Sequence, residues 1–224
     1  MNRKAIQVSE EYREQERTQD WTKNKLNREI LLELGSIGAG HATSALSDIL
    51  EERIEVEVPR LHILPPHLVP KIFGKHDQPT SAVYMELRGE ADCDILLLFE
   101  MEEAKKIAAM MTMTPSPDDV DPQMEASAIE ELGSIMIGAF LSAIADFTGV
   151  QLLPMPPQLA KGSFDATLDT FLVKQALLSE VALVFDGCFK RSSSEAGGTI
   201  VVFPSLQLQE ILVKKSQNWL KGVK

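Results

Sequence analysis

Apolar residues recur along this chain with two periods, one of three to four residues and one of two. Leucine and isoleucine at helical spacing predict a long amphipathic helix over WTKNKLNREILLELGSIGAGHATSALSDILEE. A second long helix is predicted over MEASAIEELGSIMIGAFLSAIADFTG, after Asp121 as N-cap and Pro122 at the first helical position. The same period predicts three shorter helices over MEEAKKIAAMMT, DATLDTFLVKQALL and LQLQEILVKKSQNWL.

Strand signals fill the segments between the helices. Alternating apolar and polar residues predict a strand in RIEVEVPRLHIL, and SAVYMELRGEADCDILLLFE predicts two strands joined around Arg88 to Asp94. In the second half VQLLPMPPQL has the character of a strand, and EVALVFDGCFK with GGTIVVFPS predicts a hairpin. This order of elements indicates an α+β fold, with an antiparallel sheet and the two long helices packed on one face.

The two halves of the chain match each other at an offset of 98 residues. Nine of the sixteen positions from 33 to 48 are identical to their counterparts, where average residue usage gives about one identity by chance. Pro59 also falls on Pro157. The sequence therefore predicts a duplicated, pseudo-two-fold unit: a polar extension over residues 1–20, then one domain over 21–224 made of two repeats, about 27–113 and 125–216.

Glycines inside the two long helical segments call for an explanation, since each costs about 0.5 to 1 kcal/mol relative to alanine. Our hypothesis is that they let a helix lie close against its twin or against the sheet, and it covers Gly35, Gly38, Gly40, Gly133 and Gly138. The cluster GSIGAG lies inside a helical pattern rather than between a strand and a helix. A phosphate-binding loop is therefore not indicated.

Composition narrows the class of partner. The net charge of −11 argues against binding to nucleic acid or to an anionic membrane surface, which would need clustered lysine and arginine. Two cysteines without a CxxC pair, and four scattered histidines, indicate neither a disulfide framework nor a metal site. No signal-peptide pattern or unbroken run of 18 apolar residues is present, so we expect a cytoplasmic protein.

A Glu-x-x-Ser motif lies in the best-matched stretch of each repeat, as Glu33 with Ser36 and Glu131 with Ser134. Positions i and i+3 of a helix lie on one face, so each carboxylate shares a surface with a hydroxyl. One such pair is usually just a solvated helix face. Its recurrence in both repeats favours a functional surface.

With these motifs the chain resembles the CheC, CheX and FliY phosphatases of bacterial and archaeal chemotaxis. The pattern of that family is Asp or Ser, three residues, Glu, two residues, Asn, twenty-two residues and Pro. Ser127, Glu131 and Pro157 of the second repeat match it, with Ser134 at the Asn position.

In the first repeat Glu33 and Pro59 match, Ser36 stands at the Asn position, and Glu29 replaces the leading Asp or Ser. The resemblance extends over residues 27–205. Two motif helices make the chain similar to CheC rather than to CheX, which has a single site.

The resemblance implies hydrolysis of the aspartyl-phosphate on a CheY-type response regulator, with Glu33, Ser36, Glu131 and Ser134 as the catalytic residues. The glutamate is expected to pair with a lysine of the regulator, and the Asn position to orient the attacking water. The regulator is expected to supply Mg²⁺, so that the chain needs no cofactor or metal of its own.

Two alternatives follow from the same resemblance. Serine has a shorter arm than asparagine, which leaves open a catalytically weak or inactive adaptor that binds phosphorylated CheY or the deamidase CheD. The helix predicted from Asp165 to Leu178 corresponds to the region where CheD docks in CheC relatives. A flagellar switch component is the other alternative, since the middle domains of FliM and FliY share the fold.

Overall fold

The computed structural model describes residues 25–51, 53–73, 77–191 and 194–222. Within these ranges, side chains are described except at 25–26, 50, 56–59, 72–73, 174, 176–178, 188–191, 194–197 and 219–222. The helices are α1 (Lys25–Leu50), α2 (Val69–Phe73), α3 (Met101–Met111), α4 (Pro122–Thr148), α5 (Phe164–Leu178) and α6 (Leu206–Gly222). The strands are β1 (Ile54–Leu64), β2 (Pro79–Gly89), β3 (Cys93–Glu100), β4 (Leu152–Pro154), β5 (Gln158–Ser163), β6 (Ala182–Arg191) and β7 (Ser194–Pro204). The extension predicted over residues 1–20 lies outside the described residues.

All seven strands belong to one antiparallel sheet. Their order is β1-β6-β7-β3-β2, and β4 and β5 then share the outer edge of β2. The order is symmetric about its centre. If β1 is exchanged with the pair β4 and β5, β2 with β6, and β3 with β7, the same order results when it is read from the opposite edge. The topology confirms the predicted antiparallel sheet and is consistent with a duplicated unit.

Both long helices pack on the same face of the sheet, as predicted. A core cluster joins α1, α3, α4 and α6 to the side chains of that face, with Leu34 and Leu46 from α1 and Ile129 and Ile137 from α4 among its members. The two long helices also contact each other. This arrangement turns the opposite side of α1 and α4 toward solvent.

The ends of α4 follow from its sequence. The Asp121 carboxylate accepts hydrogen bonds from the backbone N–H groups of Gln123 and Met124 at 2.9 and 3.3 Å, which confirms the predicted N-cap. Gly149 ends the helix with φ of 73°, and its N–H donates to the Ala145 carbonyl at 2.7 Å. Among the described helices α4 alone is apolar and long enough to cross a membrane, yet 56% of its most apolar window is buried, as in a core helix.

The other face of the sheet is covered by α5, an arrangement that the sequence did not predict. Phe164, Leu168 and Phe171 of α5 form a second core cluster with the side chains of this face. The ring of Tyr84 on β2 stacks on Phe171 with centroids 4.7 Å apart. The chain is therefore a three-layer structure in which central strands of the sheet, such as β2 and β3, are buried on both faces.

A buried polar network also ties α5 to the sheet. The Asp94 carboxylate on β3 accepts hydrogen bonds from the Tyr84 hydroxyl at 2.5 Å, Gln175 Nε2 at 2.5 Å and Arg88 Nη1 at 2.6 Å. Burial is the main cause that raises the pKa of Tyr84 above its ordinary value, and the hydrogen bond to Asp94 raises it further. The network thus joins β2, β3 and α5 around one carboxylate.

Candidate functional site

The motif residues of the first repeat lie on the solvent-facing side of α1. At about 100° per residue, five exposed residues of α1 fall within about 40° of the direction of Gly40. These residues, which we call the α1 stripe, are all exposed: Glu29, Glu33, Ser36, Gly40 and Ser44. Since buried leucines occupy the opposite side, the core fixes which face of the helix points outward.

The second repeat presents the same face of α4. The α4 stripe consists of the counterparts at an offset of 98, each exposed or half-buried: Ser127, Glu131, Ser134, Gly138 and Ser142. Each stripe thus displays the motif carboxylate, the motif hydroxyl three residues later, and a glycine; the α1 stripe carries a second carboxylate at Glu29. Glu and Ser of each motif share a surface, as the spacing predicted.

The motif carboxylates have no ion-pair partner in the part of the chain that the structure describes. Glu33 and Glu131 are both exposed. An exposed, unpaired carboxylate keeps its full capacity to accept hydrogen bonds from a cation. Both glutamates are therefore open to a lysine or arginine of a binding partner.

The motif hydroxyls are held by their own helices. Ser36 Oγ donates to the Leu32 carbonyl at 3.0 Å, and Ser134 Oγ donates to the Glu130 carbonyl at 3.1 Å. A hydroxyl has one proton to donate and two lone pairs that accept. With that proton bound to the helix, each motif Oγ can only accept a hydrogen bond from a water or a ligand.

The glycines of the two helices fall into two classes. A Cβ on Gly38 would lie 3.1 Å from Phe140 Cδ2, and one on Gly133 would lie 2.5 Å from Val83 Cγ1, so close packing explains both. A Cβ on Gly40 or Gly138 would meet nothing within 4 Å.

The close-packing hypothesis is therefore wrong for Gly40 and Gly138, because the space beside each is open. For Gly35, which is buried, it stays a prediction. At the centre of each stripe a mid-helix glycine lowers helix stability without relieving any contact within the described chain. Contact with another molecule is a reason for a glycine at that place.

The motif prolines lie at the two edges of the sheet rather than on the helices. Pro59 falls within the irregularity of β1, where the pairing register with β6 shifts between Glu57 and Arg60; its side chain is outside the described residues. Pro157 lies in the break between β4 and β5 and is half-buried. Proline has no N–H to donate to a sheet, so both positions suit it. Their predicted support of the motif stays a prediction.

No group of three or more His, Cys, Asp or Glu side chains that could hold a metal ion is found among the residues that the structure describes. Cys93 is a buried free thiol. Burial raises its pKa well above the ordinary value.

Comparison with known proteins places the α4 stripe in a matched region. The CheC-like family model matches residues 124–160, which hold most of α4 and the strand segments after it. The CheY-P phosphatase CheC of Bacillus subtilis (strain 168) is 31% identical over 161 residues, which cover 70% of this chain and 77% of that protein. The flagellar motor switch phosphatase FliY of the same strain is 22% identical over 173 residues, or 73% of this chain and 45% of that protein.

A solved structure supports the architecture. The X-ray structure of FliY from Thermotoga maritima superposes with a TM-score of 0.71 at 17% identity, covering 87% of this chain and 98% of that chain. At this identity the likeness shows the fold alone. The predicted α+β fold class is confirmed by it.

Proposed function

The chain belongs to the CheC-like family, and on that premise we propose that it removes the phosphoryl group from the aspartyl-phosphate of a CheY-type response regulator in the cytoplasm. The observation that carries the proposal is the pair of exposed helix faces, each presenting a serine three residues after a glutamate that has no ion-pair partner among the described residues. The relative named CheY-P phosphatase supports the substrate class. Phosphate loss from phosphorylated CheY, with and without the chain, tests it.

Glu33 and Glu131 are the docking groups in this proposal. An aspartyl-phosphate site is anionic and needs a cation nearby, and a lysine of the regulator can bind a carboxylate presented by a rigid helix. Phosphoryl transfer depends on positioning and charge more than on covalent help. The regulator supplies its own Mg²⁺, and the chain needs no cofactor.

Ser36 and Ser134 are the water-orienting groups. Because each hydroxyl proton is bound to the carbonyl four residues earlier, the oxygen accepts a hydrogen bond from the attacking water and turns a lone pair of that water toward phosphorus. The serine hydroxyl is attached to Cβ, whereas the asparagine amide is one carbon farther along the side chain. The serine oxygen therefore lies closer to the helix than the asparagine amide would. The serine thus holds the water farther from the phosphoryl group than asparagine would.

Asparagine at positions 36 and 134 is expected to raise the dephosphorylation rate, by up to about a hundredfold if it moves the water by about 1 Å. The amide reaches farther and offers both an acceptor and donors. Phosphate release from phosphorylated CheY measures the change. Ser44→Asn with Ser142→Asn is the matched control, since these hydroxyls make the same bond to their own helices; an equal gain there would contradict the role of Ser36 and Ser134.

Alanine substitutions at Gly40 and Gly138 are expected to increase the stability of the fold and to weaken binding of the regulator. With nothing within 4 Å of either Cβ, each substitution should raise the free energy of unfolding by about 0.5 to 1 kcal/mol. Against a docked regulator the same methyl groups should weaken binding by about 1 to 3 kcal/mol, as overpacking does in a core. Urea denaturation and titration with phosphorylated CheY measure the two effects.

Gly38→Ala is the control for this pair, because its Cβ would lie 3.1 Å from Phe140 Cδ2 and should lower stability instead. Alanine variants of Gly40 and Gly138 that gain stability and bind the regulator unchanged would show that the open glycines do not face it.

An adaptor is the second candidate, favoured by serine at the Asn position of both motifs. Such a protein binds phosphorylated CheY or CheD and leaves the phosphate in place. The outer face of α5, where Asp169 and Val173 are exposed, is the first surface to mutate for CheD binding. Failure to bind either protein at micromolar concentration would count against the adaptor.

A further inference from the structure

A close contact between α4 and the sheet lies directly beside the α4 motif. Gly133 precedes Ser134 directly and is buried. A Cβ on Gly133 would lie 2.5 Å from Val83 Cγ1, 2.9 Å from Val83 Cβ and 3.0 Å from Val83 Cγ2. Helix and strand therefore approach each other closely at Gly133, which has only a hydrogen atom as its side chain and directly precedes Ser134.

Strand β2, which carries Val83, is held by neighbouring strands on both edges and by packing on both faces. At Val83, β2 pairs with β3 on one edge and with β5 on the other. The next residue, Tyr84, points to the opposite face, stacks on Phe171 and donates its hydroxyl proton to Asp94. Val83 is fully buried. A side chain added at position 133 would therefore displace α4 rather than β2.

We propose that Gly133 is a positioning residue of the α4 site: its contact with Val83 sets the height at which Glu131 and Ser134 stand above the sheet. This inference rests on the proposed function. Carbon atoms in ordinary contact lie about 3.5 to 4 Å apart, so a methyl group at 133 should lift this part of α4 by about 1 Å. A misplacement of that size costs about a hundredfold in rate.

The test isolates each site with a glutamine substitution at the other. In a Glu33→Gln background, where only the α4 motif is intact, Gly133→Ala is expected to slow dephosphorylation of phosphorylated CheY by about tenfold to a hundredfold. In a Glu131→Gln background the same substitution should leave the α1 activity within about twofold, which also shows that the protein folds. Equal losses in the two backgrounds, or no loss in either, would overturn the proposal.

A compensating substitution at Val83 provides a second test of the contact. Val83→Ala removes two of the three nearest atoms and is expected to restore part of the activity that Gly133→Ala removes in the Glu33→Gln background. Gly162→Ala on β5, whose Cβ would lie 3.4 Å from Thr167 Oγ1, controls for a glycine substitution away from the site. No rescue by Val83→Ala would count against a steric contact with Val83.

A crystal structure of Gly133→Ala supplies a readout that does not depend on activity. Displacement of α4 from β2 by about 1 Å, with Val83 in place, supports the positioning role. An unmoved α4 with a shifted Val83 overturns it. If the wild-type chain releases no phosphate from CheY, the proposed function fails, whereas this structure still decides whether Gly133 sets the height of the helix.

Discussion

Glutamine at both Glu33 and Glu131 is expected to lower the rate of CheY dephosphorylation by about thirtyfold or more. The substitution keeps the shape of each side chain and removes the charge that attracts a lysine of the regulator. Losing one partner of a desolvated charge pair costs about 2 kcal/mol or more, which corresponds to about thirtyfold in rate. Phosphate release at subsaturating phosphorylated CheY measures the loss, since the effect falls on binding.

Either single variant should keep the activity of the other motif, so the double variant is the informative one. Because both glutamates are exposed and have no ion-pair partner among the described residues, thermal stability should not change. Glu210→Gln, an exposed site on α6, is the matched control. A double variant with the wild-type rate would show that these carboxylates do not contact the regulator.

Replacing Asp94 with alanine is expected to destabilise the fold by about 3 to 5 kcal/mol, the usual effect of removing one partner from a buried charge pair. Asp94 is 4% exposed and accepts from Tyr84, Arg88 and Gln175. All three donors would lose a buried acceptor at once. Urea denaturation measures the change in the free energy of unfolding.

A second readout distinguishes loss of this network from general loosening. Since the bond to Asp94 contributes to the raised pKa of Tyr84, the pKa of that phenol should fall in the variant while burial keeps part of the shift. Asp92→Ala, an exposed neighbour, should change stability by less than about 0.5 kcal/mol. A similar small change for Asp94→Ala would mean that the network adds little to stability.

Most elements of this fold could be predicted from the sequence because their signals are local. Both long helices, the β2–β3 hairpin and the Asp121 cap depend on residues a few positions apart. The short helix α2 escaped prediction, since prolines at 65, 66 and 70 interrupt any helical period. The position of α5 was also missed, although unbroken apolar runs such as ILLLF in β3 are typical of strands buried on both faces.

The candidate site depends partly on residue spacing and partly on contacts between residues that are distant in the sequence. The spacing of Glu131 and Ser134 placed them on one face, and the helix geometry agrees. Gly133 and Gly138 look equivalent in the sequence, yet one lies against Val83 and the other faces open space. That difference depends on which residue lies opposite each glycine. The bond between Asp94 and Gln175 likewise joins residues 81 positions apart, beyond the reach of any local pattern.

The phosphatase proposal is tested most directly by phosphate loss from phosphorylated CheY, followed with catalytic amounts of the chain in the presence of Mg²⁺. The two Glu-x-x-Ser faces predict a faster decay that grows with the concentration of the chain and falls in the Glu33→Gln, Glu131→Gln double variant. Decay at the intrinsic rate of CheY, at every concentration of the chain, would contradict catalysis by the two faces.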